Sequence, residues 1–374
     1  MAQPDDYTLR LTAPSEQQTY RLIELPSELL SIVEDKTADF SLTIKGKQSD
    51  DAVLCSSSST YALKAVLVSN SFLIIQPPQA YDGGSDNENI LEITGQVKDI
   101  IEVQKAVPKL DRLHGLMRGS DWTADDDEDM GEQGAKRRRY TYDQVSGVVQ
   151  ASADELDEGL RAAHVLHIAG ELRSLLPSQL SNILETILTS MVARSFSPKH
   201  VPLDNFLDAM EEDHELPREV VRGVIGWYGD VSEERWRADM AGLVREIGLG
   251  LLSELRDNPM TEHEFVTHWE KKVGDSFTGE ITMELLHGHY LRPEPPSKHL
   301  LYFPHTALPS APAARFADLF LARPRWLGDD LEPFLRGLPG GENKSVRDAL
   351  LVKFARKSGG EDGCIWWSAR ANYT

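Results

Sequence analysis

"HVLHIAGELRSLL", residues 164–176, decides how the second half of this chain is read. The stretch reads as a β-hairpin turning near Gly170. Two brief helical segments come before it, "YTYDQVSGVVQ" (140–150) and "SADELDEGLRAA" (152–163), the second with Ser152 and Glu155 in capping-box spacing. Short helices followed by a two-stranded hairpin give the order of a winged helix, the helix-turn-helix relative with an added β-wing. "SQLSNILETILTSMVAR" (178–194) then carries Leu180, Ile183, Leu184, Ile187, Leu188, Met191 and Val192 at helical spacing, a broad packing face with no chemistry in it.

The order recurs. "VPLDNFLDAM" (201–210) and "PREVVRGVIGWYG" (217–229) read as short helices, "WRADMAGLVREIGLGLLSEL" (236–255) and "TEHEFVTHWEKKV" (261–273) as longer ones, and "GEITMELLHGHYLRPEPPSKHLLYFP" (279–304) ends in a second wing. A third group follows with helices in "AARFADLFLAR", "LGDDLEPFLRGL" and "SVRDALLVKFARK", closed by the strand "GCIWWSAR" (363–370). In "RPRWLGDDLEPFLRGL" (323–338), Leu331, Phe334, Leu335 and Leu338 share one helix face, Asp329 and Asp330 suit the helix N-terminus, and Trp326 anchors the join between helices.

Residues 1–119 have a different character. "YTLRL", "YRLIEL", "FSLTIKG", "AVLCS", "TYALKAVLVS", "SFLII" and "ILEITGQVKDIIEVQKAV" are short, alternating or β-branched runs separated by Ser, Asn, Asp, Gly and Pro, which predicts a small barrel or sandwich. "PSELLSIVED" interrupts them as a helix starting at Pro26 and Ser27, with Leu29, Leu30 and Val33 on one face. Between the halves, "DWTADDDEDMGEQGAKRRR" (121–139) runs from seven acidic residues into Lys136, Arg137, Arg138 and Arg139 and reads as a flexible linker. The tetrad is equally an import signal or a solvated charge run. The fold class is therefore α+β and multidomain: a β-rich, barrel-like partner-binding domain at 1–119, a linker at 120–139, and three tandem winged helices at 140–200, 201–305 and 306–374.

Bulk composition bounds the function. The 374 residues are 40% hydrophobic and 26% charged, ordinary for a globular chain, and the longest apolar run, "YALKAVLVSNSFLII", is broken by Lys64, Ser69, Asn70 and Ser71 before it could span a membrane. The acidic start "MAQPDDYTLR" is unlike a secretion signal. Cys55 and Cys364 sit far apart in apolar surroundings, which predicts buried, reduced thiols.

Several near-motifs fail on spacing. His263 and His268 in "HEFVTH" are five residues apart, about 140° around a helix, and cannot face one metal ion. "GLPGGENKS" places Asn343 where a phosphate loop needs Gly before its Lys, so it reads as a helix stop and a new helix start. His287 and His289 in "HGHY" lack further ligands. With no convergent acid–base set, no catalytic residue, cofactor or metal is expected, and a hydrolase is the weakest of three readings.

The net charge of −21 argues against indiscriminate binding to a phosphate backbone. Residues 311–374 are the exception, carrying +2 while the other 310 residues carry −23. Lys353, Arg356 and Lys357 stand at i, i+3 and i+4 in "VKFARK", so a helix through them would present all three together, with Arg370 on the strand beyond and Arg323 and Arg325 as secondary candidates. Such a face serves either DNA or water alone.

"LTIKG" followed by "DDAVLCSSSSTYALKAVLVSNSFLII", "PLDNFLDAM" at 202–210, "RFADLFLARPRWLGDDLEPFL" and "DALLVKFAR", in this order, resemble the sister chromatid cohesion subunit of the alternative replication factor C clamp loader, the family defective in sister chromatid cohesion. The resemblance covers both ends and the order of domains between them. It implies a nuclear, non-catalytic adaptor whose β-rich domain completes a multi-chain barrel with a very small third subunit and the C-terminal tail of the large clamp-loader subunit. It also implies contacts with the catalytic subunit of DNA polymerase epsilon, with single- and double-stranded DNA, and indirectly with the sliding clamp. Carried onto this sequence, the barrel segments are Ile44 to Gly46, Ala52 to Cys55, Thr60 to Lys64 and Ser69 to Ser71, with Val53, Leu54, Cys55, Tyr61, Leu63 and Lys64 as partner-binding candidates. The acidic linker and the single Arg370 after the last strand depart from the family pattern. The alternative is a winged-helix transcription or chromatin regulator.

Overall fold

The computed structural model describes residues 8–11, 20–35, 40–76, 90–123, 139–292, 297–338, 340–341, 343–359 and 364–370. The chain is mixed α and β and divides into two compact units, the first built from 1–119 and 138–163, the second from 120–137 and 164–374.

In the first unit, β1 (Thr8–Leu11), β2 (Leu22–Glu24), α1 (Ser27–Glu34), β3 (Thr43–Lys45), β4 (Val53–Cys55), β5 (Thr60–Gln76), β6 (Ile90–Lys105), α2 (Asp111–Met117), α3 (Tyr142–Val148) and α4 (Ala153–Ala162) follow in order. "TYALKAVLVS" and "SFLII" fuse into the single 17-residue strand β5, paired antiparallel with the 16-residue β6. Ser69 and Asn70, read as a break, are absorbed by a shift in register between Leu67 and Phe72. The sheet runs β1-β6-β5-β4-β3, with β2 also pairing β6 in parallel.

No barrel closes among the described strands. Closure needs tilted strands long enough to bond all round, whereas β1, β2 and β3 are three or four residues long and leave the sheet open. The helix expected at Pro26 forms, but Leu29 alone of its expected face is buried; Leu30 and Val33 are exposed. Leu29, Leu54, Tyr61 and Val103 make a small core, with Leu25, Leu42 and Leu63 against it.

Segment 140–163, read from sequence as the start of the first winged helix, packs into this unit. The Thr60 hydroxyl donates to the Glu155 carboxylate and accepts from the Ser152 amide at 2.9 Å, so the capping box of α4 is tied to β5. Lys45 Nζ donates to the Ala151 carbonyl at 2.8 Å, Gln150 Nε2 to the Asp51 carbonyl at 2.6 Å, and Arg112 grips Asp50 with two bonds of 2.7 and 2.6 Å.

The second unit holds β7 (Val165–Ile168), β8 (Glu171–Ser174), α5 (Pro177–Ala193), β9 (Val201–Pro202), α6 (Leu203–His214), α7 (Arg218–Trp227), β10 (Gly229–Val231), β11 (Arg235–Ala238), α8 (Met240–Glu254), α9 (Glu262–Val273), β12 (Tyr290–Leu291), β13 (Leu301–Tyr302), α10 (Pro312–Ala322), β14 (Arg325–Leu327), α11 (Gly328–Leu335), α12 (Lys344–Phe354), β15 (Ala355–Gly359) and β16 (Ile365–Ala369). The hairpin at 165–174 turns at Ala169 and Gly170, both at positive φ, as a tight two-residue turn demands; Glu219 accepts the Ala169 amide at 2.9 Å.

Two features were not expected. A hairpin of β10 and β11, joined by β9, occupies 229–238, where a helix through Trp236 was read. The linker's first residues are part of this unit: Trp122 is buried, its amide donates to the Ser174 carbonyl at 2.9 Å, and Gln179 donates to its carbonyl at 2.8 Å. Residues 124–138, with Lys136 to Arg138, lie outside the described residues.

One large core gathers Phe206, Trp236, Phe265 and Trp269 from α6 to α9; a second gathers Phe316, Trp326, Phe334 and Phe354 near the C-terminus. The indole N–H groups of Trp269 and Trp326 donate to the Val244 and Leu319 carbonyls, each at 2.9 Å. Gly248 is required beside Trp269, because a Cβ there would lie 2.6 Å from the indole.

Candidate nucleic-acid and partner interfaces

The basic residues of the last module do not share one helix. Helix α12 ends at Phe354 and the chain turns directly into strand β15, so Lys353 lies on the helix while Arg356 and Lys357 lie on the strand. Strand side chains alternate between faces, which puts Arg356 and Lys357 on opposite sides. Lys353 sits with its ammonium 5.2 Å from the Phe354 ring, and Arg370 donates Nε–H to the Ala355 carbonyl at 3.1 Å.

Arg323 is buried: its guanidinium donates to the Arg292 carbonyl and lies 5.5 Å from the Trp326 ring, a packing role that removes it from a DNA surface. Arg315, which sequence reading passed over, is buried at 3% exposure and spends three N–H groups on the carbonyls of Leu308, Pro309 and Phe334, knitting α10 to the end of α11. Its position on the face with Phe316 and Leu319 was the available signal. Trp326 is on strand β14 and fills the core, and Asp329 and Asp330 stand in the first turn of α11.

Register regroups what remains. In the sheet β14-β16-β15, Arg325, Ser368 and Arg356 form one cross-strand row, and Leu327, Trp366 and Ser358 the next. The alternate positions, Trp326, Trp367 and Ala355, belong to the side that packs on the core. Arg325 and Trp366 are diagonal neighbours on the outer side, with the guanidinium 5.0 Å from the indole centroid. The six side chains in these rows include two arginines, a tryptophan and no carboxylate.

In the first unit, the partner-binding candidates Val53, Leu54, Cys55 and Tyr61 are buried in the chain's own interior, because β4 and the start of β5 lie inside the sheet; burial also pushes the Cys55 thiol up. Leu63 is half-buried against the core and Lys64 is exposed. Exposed apolar residues of this unit include Leu67 at 84% exposure, Phe72, Leu73 and Ile75 on β5, Leu9 and Leu11 on β1, and Ile44 on β3, the first residue of a carried-over barrel segment. Their alternation looked like that of a core strand, so sequence gave no sign that they face outward.

Cys364 is exposed, against the expectation that both thiols are buried. Among the described residues, no three His, Cys, Asp or Glu side chains converge as a metal site and no helix is long and apolar enough to cross a membrane. The His268 ring bonds the Glu264 carbonyl of its own helix, and Asn343 caps α12 by accepting the Ser345 amide at 2.9 Å. His289 is buried, its ring centroid 4.8 Å from that of His305 and its Nε2 3.3 Å from the Arg245 guanidinium; burial first, then the neighbouring His305 and Arg245, holds its pKa down to about 4.

A family model described as sister chromatid cohesion protein Dcc1 matches residues 20–335. Sister chromatid cohesion protein DCC1 of Xenopus laevis is 29% identical over 349 residues, 91% of this chain and 86% of its own length. The proteins of the same name from Homo sapiens, 26% identical over 347 residues (90% and 85%), and Saccharomyces cerevisiae, 24% identical over 368 (92% and 95%), are similar over nearly the same span.

Proposed function

The chain belongs to the sister chromatid cohesion protein Dcc1 family, and from that premise we propose that it is a non-catalytic adaptor of an alternative replication factor C clamp loader. In this reading it serves sister chromatid cohesion in the nucleus. The first unit takes up the C-terminal tail of the large clamp-loader subunit and a very small third subunit. The helix-and-hairpin groups of the second unit act as winged helices that meet the catalytic subunit of DNA polymerase epsilon and DNA, and the sliding clamp is handled by other subunits.

The observation that carries this proposal is the open sheet of the first unit. Leu9, Leu11, Leu67, Phe72, Leu73 and Ile75 are exposed on strands whose sheet, among the described residues, has unpaired edges, a costly surface for a chain that acts alone. Added strands from partner chains would cover the apolar side chains and satisfy the edge backbone groups. Arg325 and Arg356 on one sheet face support a DNA contact in the last module.

The test is co-expression of the full chain with the large subunit's tail and the small subunit. The expected result is a stable three-chain complex that Leu67→Asp with Leu73→Asp disrupts. A full chain that stays monomeric and captures neither partner overturns the adaptor reading. Strong base preference on a short duplex would favour a transcription or chromatin regulator instead.

A further inference from the structure

We propose that the cleft between α11, α12 and the start of β16 is a docking site for a short linear peptide of a partner protein, in which a bulky apolar side chain stands next to a lysine or arginine. This occupant lies outside the adaptor reading and does not depend on it.

The last core runs out at this end of the module. Phe316, Trp326 and Phe334 fill its centre, but of the eleven residues of α12 Phe354 alone is enclosed. On β16, pairing with β14 begins at Trp366, so Ile365 stands beyond it and is 43% exposed. What remains is a cleft of about 360 Å³, the size of an ordinary ligand site. None of its lining residues belongs to the row of Arg325, Ser368 and Arg356.

The floor is apolar. Ile365 and Trp367, alternate residues on the side of β16 that turns to the core, line it together with Leu351 of α12, and none of the three is fully covered. The indole N–H groups of Trp236, Trp269 and Trp326 each donate to a carbonyl, whereas that of Trp367 has no acceptor among the described residues, although its ring is half-buried. A donor held partly out of water without an acceptor is costly, and the carbonyl of a bound peptide would satisfy it.

The mouth is acidic on balance. Asp329, Glu332 and Asp348 line it with Lys344 and Arg347, three carboxylates against two cations. Arg347 is already spent on Glu332 and the Gly341 carbonyl. That leaves Asp329 on α11 and Asp348 on α12, both exposed and neither in an ion pair among the described residues, against Lys344 alone. A cationic side chain is favoured there and a phosphate backbone is repelled. Apolar floor, free indole donor and unpaired carboxylates together fit one peptide: an apolar anchor, a backbone carbonyl over the indole, and a basic neighbour.

The experiment selects phage-displayed random peptides of about 12 residues on the immobilised full chain, then measures the most enriched sequence, synthesised with a fluorophore, by anisotropy. The selected sequences are expected to share an aromatic or branched aliphatic residue within a few positions of a lysine or arginine. Asp329→Lys with Asp348→Lys is expected to weaken the peptide about tenfold and to tighten a version whose basic residues are replaced by Glu. Trp367→Phe, which removes the indole N–H, is expected to weaken it by roughly 3- to 10-fold. Both aspartates are exposed, so the charge reversal keeps the test open even where Trp367→Phe lowers the melting temperature. Cys364 is exposed at the rim while Cys55 is buried, so bound peptide should slow maleimide labelling of the native chain several-fold. No enrichment over the bare support, a consensus rich in Asp or Glu, or unchanged affinity in the folded double aspartate variant overturns the proposal. So does protection of Cys364 by a DNA strand or duplex in place of peptide, which assigns the cleft to nucleic acid, or by self-association at rising concentration, which assigns it to a second copy. Capture of the clamp-loader chains is measured separately and involves none of these residues, so failure here leaves the adaptor reading standing.

Discussion

The two units solve the problem of burying apolar surface in opposite ways. The second closes its cores around Trp236, Trp269 and Trp326, each fully enclosed and each indole N–H satisfied by a carbonyl. The first surrounds a small cluster at Leu54 and Tyr61 with polar ties and leaves the far half of its longest strands uncovered. Cores closed around satisfied indoles need no further cover; a long strand with Leu67 in water is designed for company.

The largest effect that tests this contrast falls on the second unit. Trp269→Ala should cost about 3–5 kcal/mol, read as a lower denaturant midpoint with little change in slope, because no rearrangement fills the space between Val244, Gly248 and Phe265. A loss below about 1 kcal/mol would mean that this core is loose. Acid supplies the next test. The unfolded His289 takes up a proton near its ordinary 6.5, whereas the folded one resists until about 4, so stability is full above 6.5 and falls as pH drops through that window. The fall amounts to roughly 3 kcal/mol at pH 4. His289→Gln should remove that component from the pH dependence of unfolding; an unaltered profile would assign the acid sensitivity elsewhere.

Glu155→Ala addresses the polar ties of the first unit. It strips Thr60 and Ser152 of a shared acceptor and should cost about 1–3 kcal/mol, seen as faster amide exchange in α4 and β5 with α8 and α9 unaffected. Equal acceleration in both units would erase the distinction between them. The smallest effect belongs to Leu67→Ser, within about 0.5 kcal/mol for the isolated chain, since the side chain is already in water. Its expected consequence is reduced capture of partners, and a large loss of stability instead would show that Leu67 is covered in the chain itself.

Much of the helical half was legible because its signals are local. Ser152 with Glu155, Thr261 with Glu264 and the turn at Ala169 and Gly170 each specify their own geometry within four residues. The hairpin at 229–238 was hidden because Trp236 and Ala238 continue the apolar spacing of α8, and the choice between helix and strand there depends on pairing with β9. The same limit affected the basic stretch at 353–357. Helical spacing grouped Lys353 with Arg356 and Lys357, but Ala355 starts a strand that pairs with β16, and cross-strand register then grouped Arg356 with Arg325, 31 residues away. Val53, Leu54 and Cys55 are buried in succession, so both sides of β4 are covered, and their apolar run alone does not say whether this chain or another covers them.

The chain passes from the first unit to the second at Ser120, returns by residue 138, and leaves again at His164. Trp122 is fastened to β8, and the segment of α3 and α4 is fastened to β3 and β5, so both ends of the 124–138 stretch are held by hydrogen bonds that do not pass through it. A protease that cut this acidic stretch would break the backbone without releasing a fragment, since the two pieces would remain interlocked as a split protein does. The same stretch is thus the natural place to insert a label or a tag, and the ribosome must deliver residue 163 before the first unit can finish folding.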